Sequence, residues 1–224
     1  IVAGAVQKLK GNAQPGETVD VYSSKGQWLA TGAWSPGSQI RVRIWSFTEG
    51  AQIGDDFLRD RLGQSIHGRS GLLSRHDLTA CRLVNAESDG LPGLIVDRYG
   101  DFLVCQFLSA GAECHRDTIV THLAALVKPA GIYERSDTDS RIKEGLRERC
   151  GLLWGKEPPE RIEILEGDAR FLVNVRNGHK TGFYLDQREN RLSVKEFSAG
   201  FEVLNCFSYT GGFGICALLG GAAR

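Results

Sequence analysis

The chain is 224 residues long, and its 27 lysines and arginines balance its 27 aspartates and glutamates to a net charge of zero. That length suits one large domain or two small ones, and a hydrophobic content of 42% supports real cores. No segment approaches the roughly 20 apolar residues of a membrane span, no charged-then-apolar leader opens the chain, and a neutral balance carries no basic footprint of nucleic-acid binding.

RNA contact therefore has to be argued from particular segments. The six cysteines, Cys81, Cys105, Cys114, Cys150, Cys206 and Cys216, form no CxxC pair. Several sit in apolar strand-like runs such as Leu103-Val104-Cys105, so they read as reduced core residues of a cytoplasmic protein, without a zinc or other metal site. There is no methionine. Ile1 opens directly into an apolar stretch, and Arg224 follows a helix-like run that should lead into a further strand. The chain is expected to be a piece cut at both ends. A processed mature protein lacking methionine would account for the first end only.

In chain order, Thr18 to Ser23, Trp28 to Trp34 and Gln39 to Phe47 alternate and are rich in β-branched and aromatic residues. Ser24-Lys25-Gly26 and Ser35-Pro36-Gly37 punctuate them as turns. Alternation is cleanest in Ile40 to Trp45, with Arg41 and Arg43 on the face opposite the apolar residues. Asp55 to Leu73 reads as a helix, with Phe57, Leu58, Leu62 and Ile66 at helical spacing and acidic residues at its start. Strands follow at Cys81 to Val84, Leu94 to Tyr99 and Phe102 to Leu108, then a helix from Cys114 to Val127 and a short strand beginning at Ile132-Tyr133. Pro158-Pro159 precedes strands at Ile162 to Leu165 and Phe171 to Val175. Asn177-Gly178 carries a type I′ hairpin signal. Asp186 and Glu189 read as a capping box for a helix to Phe197. A buried strand is expected over Phe201 to Cys206, then a glycine turn and a helix from Phe213 to Leu219. Strand, glycine turn and helix open a doubly wound α/β domain.

Three segments carry candidate chemistry. In Asn205 to Gly214, glycines just past a strand let a ligand approach the backbone, and the helix start offers free N–H groups, which suits a nucleotide-like cofactor with a carboxylate. The pattern is not GxGxxG, and close helix–strand packing selects the same small residues. In Asn177 to Arg188, Lys180 could meet a carboxylate and Phe183 or Tyr184 could cover an adenine ring. Equally, Asp186 can simply cap its helix, with Phe183 and Leu185 in the core. In Tyr133 to Arg141, the charges of Arg135, Asp137 and Arg141 suit either a groove for phosphate or bases, or a surface ion-pair network. Cys206, at the end of a strand read as buried, is taken as a core or pocket-wall residue rather than a nucleophile.

Taken together and in this order, several stretches resemble the RlmI-type family of 23S rRNA cytosine-C5 methyltransferases. They include Gly16-Glu17-Thr18-Val19-Asp20, Gly32-Ala33-Trp34-Ser35-Pro36, Glu87 to Leu94, Leu108 to Glu113, Glu134-Arg135-Ser136-Asp137, Gly178 to Arg188 and Leu204 to Phe213. The last two are the most specific, and the resemblance covers nearly the whole chain. It implies a multidomain α/β protein. A PUA-like RNA-binding β-barrel is expected over residues 1–52, incomplete at its start, and a central α+β domain with a linker helix over 53–176. The first strand–helix unit of a Rossmann-like methyltransferase domain is expected over 177–224.

The resemblance further implies S-adenosylmethionine as cofactor, held by Lys180, Thr181, Phe183, Tyr184, Asp186, Gln187, Arg188, Asn205, Phe207, Ser208, Tyr209, Thr210, Gly211 and Gly212. RNA would be contacted by Arg41, Arg43, Arg135, Ser136, Asp137 and Arg141, the partner being large-subunit ribosomal RNA. PUA-like interfaces leave homodimerisation open. Carbon C5 of cytosine is a poor nucleophile, so such enzymes first add a cysteine thiolate to C6. None of the six cysteines matches the family's catalytic position, so the nucleophile is expected beyond Arg224 and this chain alone is expected to be inactive. Two other readings compete: a non-catalytic PUA-type RNA-binding module, and a dinucleotide-dependent oxidoreductase using the same strand–turn–helix.

Overall fold

A computed structural model describes all 224 residues. The chain opens with a three-stranded antiparallel sheet of β1 (Thr18–Tyr22), β2 (Trp28–Trp34) and β3 (Val42–Ser46), in sequential order. A register shift between Thr31 and Gly32 breaks the simple alternation of β3, so Val42 and Trp45 are both buried. A bulge of this kind bends the strand and turns an extra side chain inward. Trp45 and Ala33 thereby join the main core of the next unit.

Helices α1 (Asp55–His67) and α2 (Ser70–Leu73) lead into a five-stranded sheet. The single helix read over 55–73 is interrupted at Gly68, where lost side-chain contacts and backbone freedom make a helix weakest. The sheet runs β4 (Ala80–Asn85), β5 (Leu94–Tyr99), β6 (Phe102–Phe107), β7 (Gly131–Ser136) and β8 (Arg149–Gly155), in that order. Helices α3 (Ala110–Cys114) and α4 (Arg116–Val127) make the crossover that lets β6 and β7 lie parallel, the one parallel pair in the sheet. Strand β8 and the short helix α5 (Asp139–Lys143) carry no clear sequence signal. The strand is mostly exposed and interrupted by glycines at Gly151 and Gly155.

Period-two alternation gives the sheet two cores. Leu103, Cys105 and Phe107 of β6 and Leu94 and Val96 of β5 face an 18-residue cluster with α1 and α4. Val104 and Tyr99 face the other way, into an 11-residue cluster. That second core receives a hairpin of β9 (Ile162–Glu166) and β10 (Ala169–Val173), together with Phe183 and Cys216. Burying each large aliphatic side chain contributes roughly 1.5–3 kcal/mol. The second core fixes the candidate site to the back of the central sheet.

The last third departs most from the sequence reading. Asn177-Gly178 makes no type I′ hairpin, because neither residue takes positive φ. Instead the Asn174 carboxamide oxygen accepts the N–H groups of Arg176 and Asn177, and the Gly178 N–H donates to the Asn174 carbonyl. This is an Asx-type turn, the local alternative an asparagine offers the backbone. Helix α6 (Arg188–Phe197) begins after a 3₁₀ turn at Leu185–Gln187, with Gln187 rather than Asp186 at its N-cap and no side-chain cap bond, so the capping box is not formed. Residues 201–206 form no strand, and Phe201 and Leu204 are exposed. Beyond a turn bond from the Phe201 N–H to the Ser198 carbonyl, their backbone pairs with Ala223 and Arg224. A strand without a lateral neighbour leaves its amides to water. Helix α7 (Gly212–Leu219) forms and packs along α6.

Candidate functional site

Two loops converge beside the central sheet: residues 177–188 before α6, and residues 205–212 before α7. The first is anchored from below. The Thr181 hydroxyl is fully buried, 2.8 Å from the Tyr99 hydroxyl and donating to the Asp97 carboxylate at 2.6 Å. Asp97 is also held by Arg82, at 2.8 and 3.0 Å. The Phe183 N–H donates to the Tyr99 hydroxyl, and burial raises that hydroxyl's pKa above its usual value. Phe183 is in the core, 5.0 Å from Phe171 and beneath the Arg191 guanidinium. Thr181 and Phe183 therefore support the loop and do not face a cofactor. For Phe183 the core reading wins over an adenine cover.

The upper surface of this loop is different. Lys180 sits at φ +54°, a left-handed conformation costly for a residue with a Cβ, and its ammonium donates to both Asp186 oxygens at 2.9 and 3.0 Å. The same ammonium lies 4.6 Å from the Tyr184 ring centroid. Partial burial works to raise the Asp186 carboxyl, but hydrogen bonds from Lys180 and Gln187 outweigh it and hold its pKa below the ordinary value. His179 stacks on Tyr209 at 4.2 Å, its N–H donates to the Tyr209 hydroxyl, and its Nδ1 is 3.1 Å from the Tyr184 hydroxyl. From sequence, His179 is the one histidine near a candidate site, without a role assigned to it. Arg188 pairs with its neighbour Glu189, and the Gln187 carbonyl oxygen of the side chain accepts from Asn190.

The second loop is nearly all surface. Cys206, Phe207, Ser208, Tyr209 and Thr210 are exposed, so Cys206 is a solvent-facing thiol and not the buried wall expected of it. Phe207 and Tyr209 take φ of +54° and +50°. Gly211 caps α7 at φ +74°, and a Cβ built there meets nothing within 4 Å. Asn205 packs its carboxamide against Gly214. Gly212 is instead enclosed, by Arg191, Phe183 and Phe171. The turn thus presents open backbone at the start of a helix, where unpaired N–H groups and the helix dipole favour an anionic group. A cofactor bearing a carboxylate suits the open backbone at Gly211, and the stacked His179 and Tyr209 join this turn to the Lys180 loop.

The RNA candidates divide. Arg41 stands half-buried just before β3. Arg43 donates to Glu87 at 2.9 Å and to Glu144 at 2.7 Å. Arg135, Ser136 and Arg141 are buried, at 6%, 0% and 1% exposure. The Arg135 guanidinium donates to the carbonyls of Val175 and Gly178 and to Asp137. The Ser136 hydroxyl accepts the Phe107 N–H, and Arg141 donates to the carbonyls of Phe107 and Arg147 and pairs with Glu113. These three side chains spend their polar groups inside the protein, and the expectation that they touch RNA is corrected accordingly. Asp137, partly exposed, is the partner of Arg135.

Sequence reasoning also missed the buried Arg191–Glu166 pair, with both N–O distances 2.6 Å. The available signal was an acid, Glu166 or Asp97, inside an apolar strand run, which calls for a buried partner. No group of three or more His, Cys, Asp or Glu side chains has the geometry to hold a metal ion. No helix is long and apolar enough to cross a membrane.

A small sheet module joined to an open glycine turn on an α/β frame defines a two-part class, and comparison with known families agrees. Residues 1–47 match the model of a PUA-like domain, and residues 141–224 match that of an S-adenosylmethionine-dependent methyltransferase. Among curated proteins, ribosomal RNA large subunit methyltransferase I of Aeromonas hydrophila is 52% identical over 99% of this chain. Its counterparts in Aeromonas salmonicida and Tolumonas auensis are also 52% identical. This chain is similar to these relatives over nearly all of its residues, and it spans 56% of their length. Among solved structures, a protein of Streptococcus mutans assigned as a SAM-dependent methyltransferase superposes with a TM-score of 0.83 at 28% identity, covering 96% of this chain and 55% of that one. The crystal structure of SMU.776, assigned as a methyltransferase and complexed with SAH, gives the same TM-score and identity over 94% of this chain and 53% of that one.

Proposed function

We propose that these residues are the RNA-reading and cofactor-receiving part of a cytoplasmic methyltransferase acting on C5 of a cytosine in 23S rRNA. The observation that carries the cofactor half of this reading is the open, left-handed Gly211 at the start of α7, in a turn that the His179–Tyr209 contact ties to the Lys180 loop. When bound, S-adenosylmethionine supplies an electrophilic methyl group on sulfur.

Each residue has a task in this reading. The α7 N-terminus and Gly211 receive the cofactor's polar end. Lys180, poised by Asp186 and the Tyr184 ring, sets a positive charge opposite. Tyr184, Tyr209 and His179 offer ring faces for a base, and Thr181 with Tyr99 keeps the loop in place. Arg41 and the exposed face of the β1–β3 sheet contribute to holding RNA. The cytosine-C5 specificity rests on the resemblance to the RlmI-type family alone; the relatives' names give large-subunit ribosomal RNA as the substrate of those proteins. None of the six cysteines is assigned as the nucleophile, so the 224 residues alone are expected to transfer no methyl group.

Calorimetric titration of the full-length gene product with S-adenosylhomocysteine tests the site. Binding by the wild type and at least a tenfold loss in Gly211→Val are expected, because a β-branched residue at φ +74° strains the turn by about 1–3 kcal/mol and places methyls in the open cradle. Unchanged affinity in a folded Gly211→Val protein would remove this turn from the cofactor site.

A further inference from the structure

One short stretch, from β7 through α5, touches both the small sheet module and the loop beside the cofactor turn. At its start, Arg135 clamps the carbonyls of Val175 and Gly178, at 2.7 and 3.1 Å. At its end, the Glu144 side chain is only 4% exposed, and its Oε1 accepts from the Ser38 hydroxyl at 2.8 Å and from Arg43 at 2.7 Å. Between them, Arg141 fixes α5 to the sheet through the Phe107 and Arg147 carbonyls. Backbone meets backbone here as well, since a Cβ on Gly37 would lie 3.2 Å from the Gly145 Cα. The chain connection between module and sheet, residues 47–54, is by contrast a largely exposed link without helix or strand.

The apolar contact of Ala33 and Trp45 with Gly111 holds the module down but has little directional preference. A buried carboxylate with two fixed donors is directional, and losing it takes the acceptor from the Ser38 hydroxyl and leaves Arg43 with the exposed Glu87 alone. We infer that Glu144 is a positioning residue that sets the orientation of the RNA-reading module relative to the cofactor loop, acting through the rigid β7–α5 segment. Its consequence for RNA rests on the function proposed above. The orientation itself does not.

The test uses the full-length protein with spin labels attached through noncanonical residues at Lys25 and Arg170, both exposed. In the wild type and in Glu144→Gln, which keeps an acceptor oxygen for Ser38 and Arg43, one narrow inter-label distance distribution is expected. Glu144→Ala should broaden it. With 23S rRNA as substrate, Glu144→Ala should raise KM for RNA at least tenfold while S-adenosylhomocysteine affinity stays within twofold, and Glu144→Gln should stay within threefold of wild type on both. A narrow distribution in folded Glu144→Ala would overturn the inference, as would a parallel loss of cofactor affinity. Absence of methyl transfer by the wild type would count against the proposed function, while the distance measurement would still decide the role of Glu144.

Discussion

Lys180 shows how a single exposed residue separates binding from stability. Its ion pair with Asp186 is 42% and 54% exposed at the two side chains, so it contributes at most about 1 kcal/mol to the fold. Lys180→Ala is therefore expected to melt nearly with the wild type yet bind S-adenosylhomocysteine at least fivefold more weakly, as paired melting and titration experiments would read. Glu134 is the opposite case. It is 2% exposed, its Oε1 has no partner, and Arg116 comes no closer than 3.8 Å to the other oxygen. Burial pushes its carboxyl pKa up, against a smaller lowering by Ser136. The folded protein then holds a proton that the unfolded chain has lost, so Glu134 costs stability as pH rises above the ordinary carboxylate value. Glu134→Gln removes that cost. Its melting temperature relative to wild type should climb between about pH 4.5 and pH 7, and a pH-independent difference would mean the carboxyl is ionised throughout. Neither role is visible in sequence. Glu134 reads as one of several charges beside a turn, and only the sheet places it beside Cys105 and out of solvent.

At the scale of elements, the buried Arg191–Glu166 pair joins α6 to the β9–β10 hairpin, with Arg191 also donating to the Tyr184 carbonyl at 3.0 Å. Arg191→Ala leaves Glu166 charged and buried, which should cost about 3–5 kcal/mol in denaturant unfolding. Arg191→Met with Glu166→Met should recover most of that loss, because apolar side chains of similar volume avoid the desolvation cost. If the double variant is as unstable as the single one, the pair matters for packing and not for charge. Elements with strong periodicity were legible in the sequence. β2 and β5 fall where alternation put them, and α4 ends at the expected Lys128-Pro129. Those set by partners were not. β8 is a half-exposed edge, the Asn174 turn replaces the Asn177-Gly178 hairpin, and residues 201–206 lack a neighbour to make them a strand.

At the scale of the molecule, the order of parts was readable. A β-rich start, a two-faced central sheet and a glycine turn with its helix all appear, and the resemblance joined them into one family. How the parts meet was not readable. The Asp137 and Arg141 region looked like a surface for RNA, whereas its arginines are buried and bind carbonyls of the protein's own backbone. Pair partners more than a hundred residues apart, such as Arg43 with Glu144, follow from tertiary packing and leave no local pattern. The proposed cofactor site is half legible for the same reason. Gly211 and Lys180 announce themselves by type and place, but only the second core shows that Thr181 and Phe183 point inward. The central claim, transfer of a methyl group to C5 of cytosine in large-subunit rRNA, is tested most directly by one measurement. The full-length gene product is incubated with isotopically labelled S-adenosylmethionine and unmodified 23S rRNA, and the labelled nucleoside is identified by mass spectrometry. Label in 5-methylcytidine is the predicted result; no label, from folded protein that binds both S-adenosylhomocysteine and the RNA, would contradict it.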